Sequence, residues 1–143
     1  MTIRGGCHCG NIRFEFDRAA GSPPEIAARA CDCTFCTKHG GLWTSSPGGA
    51  LRVKIGDPSL LSPYAFGTHT AQFQVCKRCG IVPFVTSEIE GHLYAVVSVN
   101  AFEGVDASQV TRAPASFDGE DEGARLARRK RNWIGDVRVE KGG

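Results

Sequence analysis

The sequence lacks long apolar runs and a strong net charge, and each of these absences argues against a class of protein or partner. No apolar run approaches the roughly 18 residues that cross a bilayer, so we expect no helical membrane span. The net charge is only +2 at pH 7, which gives no general case for a nucleic-acid or membrane partner. The first residues have no apolar signal-peptide core, and we therefore expect a cytoplasmic protein.

Length and composition predict one compact domain. The 143 residues are 41% apolar and 22% charged, which is ordinary for a globular protein. We expect a single domain over residues 1–143, with residues 118–143 as a tail packed on it. In this tail an acidic stretch (118–122) precedes a basic run (125–131), a charge order that favours a short helix, although an irregular tail is the alternative. We expect the basic run to be a solvated face and Trp133 and Ile134 to anchor the tail.

Cysteine and glycine are present in excess. The 18 glycines exceed the usual share of about 7%. The seven cysteines are an odd number, which cannot pair completely into internal disulfides, and a reducing cytosol would oppose such pairing. All seven fall in three short groups: C-x-C at residues 7–9, C-x-C-x-x-C at 31–36 and C-x-x-C at 76–79. Buried free cysteines would be scattered, so this grouping predicts metal ligands.

The spacing favours a division of the cysteines into four and three. The 31–36 group has three thiols within six residues and can hold one ion alone, which leaves the two distant pairs to close a second site. Soft thiolates favour zinc, which they bind at about 2.3 Å. Four thiolates suit a closed structural site, whereas three leave a position for water or substrate. The predicted sets are Cys7, Cys9, Cys76 and Cys79, and Cys31, Cys33 and Cys36.

Two alternatives remain open at this level. In a zinc ribbon, the last two cysteines of the 31–36 group would pair with the 76–79 group and leave the other three for a second site. Alternatively His39, three residues after Cys36, could add a fourth ligand and make the second site structural. The spacings match neither ferredoxin pattern, so we expect no iron–sulfur cluster. The remaining histidines are expected on the surface: His8, His69 and His92.

The hydrophobic pattern predicts a mainly β protein. Alternation or short apolar runs predict strands near residues 12–16, 43–44, 51–55, 71–75, 81–85 and 93–99. The last run is the longest apolar one and predicts a strand buried on both faces. No long helical pattern precedes residue 118. We expect small antiparallel sheets tied together at the cysteine turns, where Gly10 and Gly80 permit left-handed backbone.

Three segments resemble a known family. GGCHCGNIRF at residues 5–14, CDCTFC at 31–36 with the following Gly40-Gly41, and CKRCG at 76–80 are similar to the glutathione-dependent formaldehyde-activating enzyme family, which includes centromere protein V. The similarity continues through VSVNAFEGVD at 97–106. It implies a β-tent fold with two zinc ions per chain, one structural at the four-cysteine set and one catalytic at the triplet.

The resemblance also implies an activity. It predicts a zinc-dependent carbon–sulfur lyase-like enzyme, similar to S-hydroxymethylglutathione synthase, that acts on an aldehyde and glutathione or a related thiol. The alternative is a non-catalytic, zinc-stabilised binding module of the same family. The expected partner is a small-molecule thiol rather than a membrane or nucleic acid. The sequence identifies no catalytic base; the candidate neighbours of the triplet are Asp32, Phe35, His39 and Trp43.

Overall fold

The computed structural model describes residues 2–142, which form strands, two α-helices and three single-turn 3-10 helices. The strands are β1 (Thr2–Gly6), β2 (Ile12–Asp17), β3 (Ile26–Cys31), β4 (Trp43–Thr44), β5 (Ala50–Ile55), β6 (Leu61–Tyr64), β7 (Gln72–Cys76), β8 (Phe84–Ile89), β9 (His92–Ser98), β10 (Phe102–Glu103), β11 (Val110–Ala115) and β12 (Asp136–Lys141). The α-helices are α1 (Thr34–His39) and α2 (Glu122–Asn132), and the 3-10 turns are Pro58–Leu60, Val99–Ala101 and Ala107–Gln109.

The strands form two sheets, which confirms the prediction of a mainly β fold. The first sheet has the order β10-β1-β2-β5-β12, and the second has the order β11-β3-β4-β9-β8-β7-β6. The main apolar core draws buried side chains from both sheets, among them Phe16, Val53 and Val97. Alternation along β2 and β5 produces this arrangement, because every second side chain turns toward the core.

The second sheet is covered on both faces. Along β9, Ala95 and Val97 belong to the main core, whereas Val96 belongs to a second apolar cluster that also contains Trp43 and Trp133. The predicted strand buried on both faces is therefore confirmed at β9. The second cluster gives the outer face of this sheet an apolar surface on which further elements pack.

Two strand pairs depart from the antiparallel arrangement that the sequence led us to expect. Within residues 2–142, β11 pairs with β3 and β12 pairs with β5 in parallel, while the other paired strands are antiparallel. A parallel pair needs a long connection, and both pairs join strands that are far apart in sequence. Short-range turn signals could not reveal such pairs.

One local prediction is wrong. The strand expected at residues 81–85 begins only at Phe84, because the Ile81 carbonyl closes the preceding turn by accepting from Cys76 N at 2.8 Å. Pro83 also lacks an N–H for the sheet. The short helix α1 does not contradict the expectation that no long helix precedes residue 118; Cys33 is its N-cap, where the sulfur accepts from Cys36 N, and Gly40 is its C-cap.

The C-terminal segment contains the predicted helix and also completes the first sheet. Asp121 caps α2 by accepting from Ala124 N at 2.7 Å. Trp133 and Ile134 are buried, as expected, and Ile134 pairs with Ala95 of β9. β12 then continues along β5. None of the helices between residues 2 and 142 has the length and apolar character needed to cross a membrane.

Candidate metal centres and the adjoining cavity

Four thiols meet where the two sheets come together. Cys7 and Cys9 lie in the turn after β1 of the first sheet, Cys76 ends β7 of the second sheet, and Cys79 lies in the turn that follows. The ligand atoms of all four lie within 4.8 Å of one another. A metal ion bound here would therefore join the two sheets directly.

Both cysteine turns of this cluster have the same construction. Cys7 N donates to the Ile12 carbonyl at 2.9 Å, and Cys76 N donates to the Ile81 carbonyl at 2.8 Å. Each turn contains a glycine with a left-handed backbone, Gly10 at φ 85° and Gly80 at φ 80°. A side chain would be strained at either position, which confirms the role expected for these glycines.

The four-thiol cluster fits a soft metal ion. Cys9 Sγ lies 3.7 Å from Cys7 Sγ and 3.5 Å from Cys76 Sγ. A tetrahedral ion with bonds of about 2.3 Å to sulfur requires sulfur–sulfur edges of about 3.8 Å, so these distances are close to those of a bound site. Ile12 N donates to Cys7 Sγ at 3.2 Å, an outer hydrogen bond of the kind that orients metal ligands.

The electrostatic surroundings divide these thiols into two kinds. Burial is the main reason that the pKa of Cys7 rises to about 12. Burial also opposes ionisation of Cys79, but backbone N–H groups of Ile81 and Cys9 and the neighbouring thiols lower its pKa to about 6. The Asn11 N–H lowers the pKa of Cys9. The surroundings thus lower the pKa of two of the four thiols, Cys9 and Cys79.

The other three thiols lie at the junction of β3 and α1. Cys31 ends β3, Cys33 caps α1 and Cys36 lies on the first turns of that helix. Their sulfur atoms lie within 4.8 Å of one another. Two of the sulfurs accept further hydrogen bonds: Cys36 N donates to Cys33 Sγ at 3.3 Å, and Trp43 Nε1 donates to Cys36 Sγ at 3.4 Å. This donor set could hold a second soft metal ion.

Hydrogen bonding within the triplet favours one thiolate. The Cys36 thiol donates to the Cys31 sulfur, and this contact outweighs burial and lowers the pKa of Cys31 to about 5. The same contact, together with burial, raises the pKa of Cys36. The negative charge of a Cys31 thiolate would stabilise a cation bound next to it.

The seven thiols form one group of four and one group of three. The zinc-ribbon pairing and a His39 ligand have less support. The zinc-ribbon pairing is not found among residues 2–142, because the last two cysteines of the triplet lie with Cys31 rather than with the 76–79 group. His39 does not join the triplet within 4.8 Å; its ring instead lies against Phe35 at 4.4 Å between centroids. The remaining histidines are exposed, as expected: His8, His69 and His92.

The triplet opens onto a cavity of about 570 Å³ on the outer face of the second sheet. All three triplet cysteines line it, together with Val85 and Val96 of the sheet and with residues of α2. None of the four cysteines of the other cluster lines it. The triplet is therefore accessible to a small molecule in this cavity, whereas the four-thiol cluster lies outside it.

Aromatic side chains form much of the wall near the triplet. Trp43, Phe66 and Phe73 line the cavity, and the Phe66 and Phe73 rings stack at 5.2 Å between centroids. Phe35, a predicted neighbour of the triplet, packs against Phe73 at 4.7 Å but is not itself a lining residue. Asp32 does line the cavity and is exposed. Aromatic rings thus form an apolar part of the wall beside the thiols.

Sequence reasoning missed the arginines of this cavity. The basic run was expected to be a solvated face, but Arg125, Arg128 and Arg129 line the cavity with Arg29. The spacing of the first three, at i, i+3 and i+4, puts them on one side of α2 and is the signal that could have revealed them. Nothing in the sequence alone shows which surface that side of the helix covers.

Comparison with known proteins agrees with the fold and the cysteine pattern. The sequence model of the glutathione-dependent formaldehyde-activating enzyme family matches residues 2–115. The fold is also similar to the crystal structure of a Rhodobacter sphaeroides protein, with a TM-score of 0.58 and 32% sequence identity. That match covers 77% of this chain and 99% of the Rhodobacter chain.

Proposed function

Because the chain belongs to the glutathione-dependent formaldehyde-activating enzyme family, we propose that it is a zinc-dependent enzyme that joins a small thiol to an aldehyde. Glutathione and formaldehyde are the first pair to test. In this reaction a carbon–sulfur bond forms between the thiol sulfur and the carbonyl carbon. The thiol proton ends on the former carbonyl oxygen, so no oxidant or reductant is needed.

The observation that carries this proposal is the difference between the two cysteine clusters. The triplet lines a cavity of about 570 Å³, which lies within the range of roughly 300–1,000 Å³ usual for small-molecule sites. The four-thiol cluster has its full set of protein ligands and lies outside this cavity. We assign zinc to both: a structural ion at the closed cluster and a catalytic ion at the open one. Cys31, Cys33 and Cys36 would hold the catalytic ion, which would supply the positive charge that favours the thiolate form of a substrate thiol.

The residues around the triplet orient its sulfurs and keep water away. Trp43 Nε1 and Cys36 N donate hydrogen bonds to sulfur, which fixes the direction of the lone pairs left for a metal. Phe66 and Phe73 give the site an apolar wall. Holding the thiol and the aldehyde together beside this wall removes much of the entropic cost of a bimolecular step.

The binding-module alternative has less support. It predicts a fourth protein ligand at the triplet, for which His39 was the candidate. It also predicts that no cavity adjoins the triplet. His39 lies outside the thiol cluster, and a cavity adjoins the triplet. A cytoplasmic location, where glutathione and reduced thiols are abundant, is part of the proposal.

The direct test uses exchange NMR to measure how fast S-hydroxymethylglutathione forms in the presence of the zinc-loaded protein. We expect the exchange rate to rise in proportion to protein concentration. Trp43→Phe should lower it by up to about tenfold, because one neutral hydrogen bond to the triplet is lost. The tripeptide with serine in place of cysteine is the control and should not react. An exchange rate that is the same with and without the protein would contradict the proposal.

A further inference from the structure

The cavity beside the triplet carries more positive charge than its own carboxylates offset. Four arginines line it, and three of them come from α2, which lies beyond the residues that match the family. Arg125 and Arg128 share one carboxylate, that of Glu120, at 3.7 and 3.0 Å. Glu120 does not itself line the cavity, and the two carboxylates that do, Asp32 and Asp118, are exposed to solvent. Arg29 and Arg129 form no ion pair within residues 2–142.

Arg129 is the critical member of this group. The residue is only 6% exposed, and no hydrogen-bond partner for its Nε was found within residues 2–142. Its Nη1 donates only to neutral groups, Thr70 Oγ1 at 2.8 Å and Ser87 Oγ at 3.2 Å. A buried charge without a counter-ion is costly, and protein interiors retain one only where something compensates it. An anion bound in the cavity would supply such compensation for Arg129.

The guanidinium groups are held in place by rings and by the helix. Arg129 Cζ lies 5.0 Å above the Trp133 ring, and Arg128 Cζ lies 3.6 Å above the Phe117 ring. Trp133 belongs to the same apolar cluster as Trp43, which contacts the Cys36 sulfur. The arginine side of the cavity is therefore continuous with the triplet through packed side chains. On β3, Arg29 and Cys31 lie two residues apart and so share one face of the strand.

We propose that Arg129, assisted by Arg29, forms an anion subsite that binds the carboxylate of the thiol substrate. This assignment rests on the proposed function, since the thiol end of the same molecule is taken to bind at the triplet. Guanidinium groups suit a carboxylate because their parallel N–H groups match its two oxygens. Arg129, the main residue of this subsite, lies on a helix outside the residues that match the family, whereas Arg29 lies on β3 within them.

Calorimetric titration of the zinc-loaded protein with four probes tests this subsite. The probes are 3-mercaptopropionate, which has both groups, 3-mercapto-1-propanol, which has the thiol without the charge, propionate, which has the charge without the thiol, and inorganic phosphate. We expect the mercapto acid to bind about tenfold to a hundredfold more tightly than the mercapto alcohol, the range expected for a charge-assisted hydrogen bond in a buried site. In Arg129→Gln this ratio should fall close to one.

The matched control is Arg131→Gln, because Arg131 lies on the same helix but is exposed and does not line the cavity. It should keep the wild-type ratio. Circular dichroism checks the fold of each variant. If Arg129→Gln does not fold, Arg29→Gln replaces it, and the ratio should again fall.

The outcomes separate this inference from the proposed function. If both thiols bind equally well to the wild-type protein, the anion subsite is refuted and the thiol site stands. If the mercapto alcohol does not bind, and propionate binds as tightly as the mercapto acid but only with Arg129 present, the subsite stands and the proposed function fails. Tighter binding of phosphate than of propionate would overturn the carboxylate assignment. A ratio that survives in both arginine variants would refute the role of these residues.

Discussion

Cys76→Ser is expected to abolish stable folding of the protein. Cys76 is fully buried at the end of β7, and its cluster joins the turn after β1 to the second sheet. Binding of structural zinc contributes about 10–16 kcal/mol in zinc-finger peptides, comparable with the whole stability of a domain, about 5–15 kcal/mol. Losing one ligand of a closed site should therefore lower the free energy of unfolding by at least about 5 kcal/mol.

Thermal unfolding followed by circular dichroism measures this effect. His8→Ala is the matched control, because His8 lies between two of the proposed ligands in the chain but is exposed. It should melt at the wild-type temperature. A Cys76→Ser variant that unfolds within a few degrees of wild type would show that the cluster does not hold the sheets together through a metal.

Cys31→Ser is expected to have the opposite profile, with activity lost and the fold retained. Cys31 is only partly buried and lies at the cavity rather than between the sheets. Replacing it should cost less than about 1.5 kcal/mol of stability, a usual figure for one partly exposed side chain. Thiol–aldehyde condensation should fall by more than about a hundredfold, because even outer partners of a metal site cost 10–100-fold when removed.

Exchange NMR, zinc analysis and thermal unfolding of the same sample test this second expectation. The variant should contain one zinc ion fewer than wild type and unfold at nearly the same temperature. Lys38→Ala, an exposed change on α1, should preserve both zinc ions and the activity. Unfolding of Cys31→Ser to the same degree as Cys76→Ser would mean that the triplet is structural.

The division of the cysteines was predictable from the sequence because the ligand spacing is local. Three thiols within six residues converge on one point whatever the rest of the chain does. The glycines of the two cysteine turns, Gly10 and Gly80, likewise report a local backbone requirement. The alternating residues of β2 and β5 were recognisable as strands for the same reason: each signal lies within a few residues.

The remaining features depend on partners that are distant in the chain. β1 (TIRGG) and β3 (IAARAC) lack a clear apolar alternation, and their pairing with other strands determines their conformation. The parallel partners of β3 and β5 come from the last third of the chain. The cavity arginines were unrecognisable as a site because only the docking of α2 turns a basic run inward. The spacing of the arginines shows that they share one side of α2, but it does not show which surface of the protein that side covers.

The most direct test of the account is the number of zinc ions per chain in protein purified without a chelator, measured before and after adding glutathione. We expect two zinc ions, one removed readily by a mild chelator and protected by glutathione, and one that resists removal. One tight zinc ion with three titratable thiols, or two equally tight ions indifferent to glutathione, would contradict an open thiol-binding site at the triplet.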